Sequence, residues 1–130
     1  MNRAWLKDWP WSTVTAINSA LCKEKKALHK ATSEGHEPAR KLWEDSRAIK
    51  IPLRQALEIC RQCHKLSPFC FYNGNTFAAI GRTMVQHILR KMPPVEAHAF
   101  RSVVGHFIAG TAGDETLDQA LAELAIHPKR

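Results

Sequence analysis

The run Asn73-Gly-Asn-Thr-Phe-Ala-Ala-Ile-Gly-Arg-Thr-Met-Val-Gln-His-Ile-Leu-Arg-Lys91 decides the fold class. Phe77, Ile80, Met84 and Ile88 recur at helical spacing, and Ala78, Gly81, Val85 and Leu89 widen the same apolar face. Arg82, Thr83, Gln86, Arg90 and Lys91 are left to face outward. Asn73-Gly74-Asn75 offers a turn and an N-cap, so a helix is expected from about Thr76 to Lys91, ended by Pro93-Pro94.

The same period extends in both directions. Val14, Ile17, Leu21 and Leu28 predict a first helix, capped by Ser12 and running toward His29. Pro38 fits the first turn of a second helix that carries Leu42, Trp43 and Ser46 and ends before Pro52. A third, from Pro52 or Leu53 to Ser67-Pro68, sets Leu53, Ala56, Leu57, Cys60, Cys63 and His64 on one face. A fifth spans about Val95 to Ala109 and stops at the Gly-Thr-Ala-Gly run 110–113, after which Asp114 opens a last helix through Leu124. No alternating strand pattern competes, and the expectation is an all-α, compact bundle of five to six helices forming a single domain over residues 1–130. A chain of this length buries about two thirds of its unfolded surface, enough for one core.

No apolar run reaches the roughly 18 to 20 residues a membrane span requires, and the first residues lack the uninterrupted apolar stretch of a secretory signal. A cytoplasmic protein without a membrane partner is therefore expected, with its cysteines reduced. The net charge of +7 is uneven: residues 1–65 hold 13 Lys/Arg against 7 Asp/Glu, whereas residues 66–130 hold 6 against 5. An N-terminal basic excess favours a polyanionic partner, because cations that neutralise phosphates release condensed counterions.

These features point to a non-enzymatic binding module, an accessory subunit contacting nucleic acid or a nucleoprotein complex. The candidate phosphate contacts are Lys23, Lys25, Lys26, Lys30, Arg40, Lys41, Arg47, Arg54, Arg61 and Lys65. A second reading is a protein-interaction adaptor whose partner carries an acidic surface. It rests on Trp5, Trp9 and Trp11, three of the four tryptophans within seven residues. Folding of residues 1–11 back over the bundle would equally account for them.

A third reading is a metal or haem protein. Cys60-Arg-Gln-Cys63-His64 has the spacing of c-type haem attachment, and Cys60, Cys63 and Cys70, completed by Cys22 or His64, could form a tetrahedral zinc set. The helical period already places Cys60 and Cys63 in the core, so no cofactor is expected. A nucleophilic cysteine would need His87, His98 or His106 brought beside it by the fold, and no paired carboxylates suggest acid–base chemistry. The Asn73–Thr76 turn together with Arg82 could face an anion, although a turn followed by an N-cap explains it more simply.

Overall fold

The computed structural model describes residues 2–126; Met1 and residues 127–130, the ends of the expected domain, lie outside the described residues. Seven helices are present among them, one or two more than expected: α1 (Trp11–Glu24), α2 (His36–Arg47), α3 (Leu53–Leu66), α4 (Asn73–Met84), α5 (Gln86–Leu89), α6 (Pro94–Ala109) and α7 (Asp114–Ile126). A two-residue ribbon joins β1 (Asn2–Arg3) antiparallel to β2 (Ile51–Pro52), a pairing too short to leave an alternating pattern in the sequence. No helix among the described residues is long and apolar enough to cross a membrane.

The run that decided the fold class supplies the central helix. α4 packs on α1, α3 and α6, and its Phe77 and Ile80 are fully buried, as are Trp43, Leu57, Phe107, Ile108 and Leu117. One core of buried residues extends from Leu6 to Leu117. Arg54 closes α7 onto α3, its Nη2 donating to Asp114 at 2.8 Å and its Nε to Asp118 at 2.9 Å.

Four boundaries differ from the expectation. α1 ends at Glu24 rather than near His29, because the chain turns in a Schellman motif. The Ala27 amide bonds the Cys22 carbonyl at 2.8 Å, the Lys26 amide bonds that of Lys23 at 3.3 Å, and Lys26 takes φ 56°. Lys25 and Lys30 therefore lie beyond the helix, and Leu28, expected on its apolar face, is 59% exposed. At the other end Pro10, not Ser12, is the N-cap, and no side chain caps the helix. The remaining two differences concern the central helix. It begins three residues early, at Asn73, behind Tyr72 in the left-handed region, and Asn75 caps nothing. It also breaks at Val85, so residues 86–89 form a separate turn. One turn earlier the Thr83 hydroxyl donates to the Ala79 carbonyl at 2.9 Å, a contact that bends helices.

Candidate nucleic-acid interface

The most connected buried polar group is Asn18, fully enclosed on the inner face of α1. Its Nδ2 donates to the Phe71 carbonyl at 2.8 Å and to Thr76 Oγ1 at 3.0 Å. Its Oδ1 accepts from His29 Nδ1 at 2.8 Å, with the Cys22 thiol at 3.5 Å. Thr76, also fully buried, donates a hydrogen bond from its own hydroxyl to the Tyr72 carbonyl at 2.7 Å. Every polar atom of the pair has a partner, as a buried network requires.

That network ties the segment after α1 to the segment after α3. The Cys70 amide bonds the Lys30 carbonyl at 2.9 Å, the Thr32 amide bonds the Pro68 carbonyl at 2.9 Å, and Ala31 bridges Phe69 antiparallel. Asn73 clamps the far side through its amide, which donates to the Phe69 carbonyl at 2.7 Å and accepts from the Phe69 N–H at 2.9 Å. Exposed Lys23, Lys25, Lys26 and Lys30 lie in or just after α1, and on the neighbouring segment Phe71, 49% exposed, directly follows Cys70, the residue bonded to Lys30. The Phe71 and Tyr72 rings are 6.5 Å apart. Phe71 and Tyr72 are not among the residues the sequence singles out; the Schellman turn and the buried asparagine that set their segment beside Lys30 have no sequence signature.

The ten basic candidates divide. Lys23, Lys25, Lys26, Lys30 and Lys65 are exposed and make no ion pair among the described residues. Lys65 stands apart, in the last turn of α3. The other five are engaged with carboxylates. Arg40 grips Glu37, a contact that holds the Glu37 carboxyl below its ordinary range. Lys41 pairs with Asp45 at 2.7 Å and Arg47 with Glu44 at 3.0 Å. Arg54 serves the α3–α7 clamp. Arg61, its side chain only 17% exposed, pairs with Glu58 at 3.2 Å and lies 4.8 Å from the Phe107 ring centre. Such pairs contribute little to stability individually, but they neutralise the charges a phosphate would need.

The tryptophans face inward. Trp11 is buried, stacks on Phe69 at 5.8 Å and donates Nε1 to His36 Nε2 at 3.1 Å, while its amide bonds Glu44 at 2.9 Å. The Trp9 carbonyl accepts from Trp43 Nε1 at 2.7 Å, and Trp5 stacks on His87 at 5.8 Å beneath Arg3. Residues 2–11 thus lie across the bundle, with Trp11 in the core and Trp5 and Trp9 partly buried against it.

The cysteine motif does not assemble. Cys60 and Cys63 are fully buried, and burial raises both thiols, Cys63 to about 12 and Cys60 well above its ordinary value. The Cys63 thiol donates to the Ala39 carbonyl at 3.7 Å, His64 donates Nδ1 to the Ile108 carbonyl at 2.9 Å, and Cys70 is exposed. Among the described residues no group of three or more His, Cys, Asp or Glu side chains could hold a metal ion, so Cys60, Cys63, His64, Cys70 and Cys22 are not gathered into the zinc set. His87, His98 and His106 likewise meet no cysteine: His87 contacts Trp5 and Arg3, and the other two line a cleft on α6.

Comparison with protein-family models, with curated proteins and with solved structures finds no match. The functional reading is carried by the chain's own residues.

Proposed function

We propose that this chain is a non-enzymatic module that binds single-stranded nucleic acid across the Lys23–Lys30 turn and the Phe71–Tyr72 ridge. The observation supporting it is the juxtaposition of four unpaired lysines within eight residues and an exposed aromatic ring on the neighbouring segment. Lysines neutralise the backbone without reading sequence, and a half-exposed ring offers a face on which an unpaired base can stack. A duplex hides its bases from such a ring, so single strands are the favoured ligand.

Binding of a labelled mixed-sequence single strand and of the matching duplex, measured across a salt titration, tests this. Four phosphate contacts give a slope of about −3 for log affinity against log salt with a single strand. Phe71→Ala weakens single-strand binding about tenfold through lost stacking. Replacing Arg40 and Lys41 with Gln leaves the slope unchanged. Absence of binding at low salt, or equal loss of duplex and single-strand affinity in Phe71→Ala, overturns the reading.

A further inference from the structure

A second basic locus lies at the opposite end of α4. α6 presents His98, Arg101, Ser102, Gly105, His106 and Ala109 at intervals of three, four, seven, eight and eleven residues, one stripe along the helix. With Arg82 of α4 they line a cleft of about 240 Å³. The opposite face of α6 buries Phe100, Val104, Phe107 and Ile108 in the core, and within the stripe Gly105 is buried where Arg82 lies over it, while Arg101, Ser102 and His106 are exposed.

Arg82 is seated rather than waving in solvent. The space that a side chain at position 105 would fill is taken by its guanidinium: a Cβ there would come within 2.6 Å of Nε and 2.7 Å of Nη2. Unlike Arg40, Arg47, Arg54 and Arg61, neither Arg82 nor Arg101 pairs with a carboxylate among the described residues. Burial, and then the like charge of Arg101, lower the proton affinity of Arg82. A guanidinium does not respond by deprotonating, so the two charges are held together uncompensated. His106 is fixed at the cleft edge, Nδ1 standing 2.8 Å from Thr111 Oγ1.

We infer that this cleft binds the dianionic terminal phosphate of a ligand, gripped between the Arg82 and Arg101 guanidinium groups with Ser102 and the imidazoles of His98 and His106 at its rim. Guanidinium forks match phosphate oxygens in pairs, and an anion between them relieves their mutual repulsion. The site is separate from the lysine turn. Tyr72 and Arg82 are ten residues apart, about 15 Å along the α4 axis, so either site can fail without the other.

The test is an NMR titration of the full chain with inorganic phosphate against sodium chloride at constant ionic strength and neutral pH. Saturable shifts are expected at Arg82, Arg101, Ser102 and His106. Arg82→Lys keeps the charge but loses the fork, and weakens phosphate about tenfold. Gly105→Ala, which drives Arg82 from its seat, acts in the same direction. Arg101 is exposed, so Arg101→Ala retains the fold and decides the matter alone if the other variants unfold. A parallel titration with 5′-phosphorylated and 5′-hydroxyl oligothymidine separates a strand end, for which only the phosphorylated form shifts the cleft, from a small phosphate ester, for which neither does. Shifts confined to the Lys23–Lys30 turn, shifts that never saturate, or saturation unchanged in Arg101→Ala overturn the proposal.

Discussion

Asn18 does more than any other single side chain to shape the candidate interface. It satisfies the Phe71 carbonyl, Thr76 and His29 from a fully enclosed position, so its loss strands three groups rather than one. Asn18→Ala is expected to destabilise the fold by about 3 kcal/mol, most of it the desolvation cost of the orphaned partners. Denaturant midpoints measure that loss. Binding should fall as well, because the aromatic ridge is then released from α1. Asn18→Asp retains the acceptor for His29 and Cys22 but turns a second acceptor toward the Phe71 carbonyl, so it should not rescue either property.

At the scale of elements, the turn after α1 is made by a lysine where glycine is the usual occupant. Lys26 holds φ 56° to complete the Schellman motif, a conformation that an L side chain enters only with strain. Lys26→Gly should therefore stabilise the protein by about 1 kcal/mol, read as a higher urea midpoint at unchanged slope, while removing about 0.7 from the salt dependence of single-strand binding. Lys26 also explains which parts of the structure were legible beforehand. Phe77, Ile80 and Met84, or Leu57 and Cys60, announce their helices because burial imposes a period on side chains. The stop at Lys26 is imposed by backbone hydrogen bonds and the break at Val85 follows a threonine hydroxyl bonded to the backbone, neither of which alters the apolar period, so α1 was expected too long and the central helix unbroken. The basic candidates show the same limit. Composition found all ten, but whether Arg47 or Arg61 is free depends on where Glu44, Glu58 and Asp114 arrive after folding. Arg82 was assigned to an outward face, and the cleft it shares with α6 needed the α4–α6 packing to become visible.

For the molecule as a whole, acid sensitivity is expected where the N-terminal segment is fastened down. His87 Nε2 accepts from Arg3 Nη1 at 3.0 Å, so it is neutral when the contact is made. Burial first, and then the charges of Arg3 and Lys91, lower its affinity for a proton below the ordinary value of 6.5. The unfolded chain then takes up the proton first as pH falls. The contribution of this contact is complete above about pH 6.5 and is lost as pH descends through the lowered folded value. Urea midpoints compared between neutral and mildly acidic buffer should fall further for the natural chain than for His87→Gln, which keeps an acceptor for Arg3 and carries no proton. Identical slopes for the two proteins would contradict this account.

The fastening has a temporal side. Trp9 meets Trp43 across 34 residues of chain, Arg3 meets His87 across 84, and β1 has no partner until Ile51 and Pro52 exist. During synthesis residues 2–11 thus precede the partners that cover them, and their tryptophans wait, uncovered, until the chain has been made as far as His87. Slow translation of residues 50–90 should lengthen that window and raise the yield of aggregates.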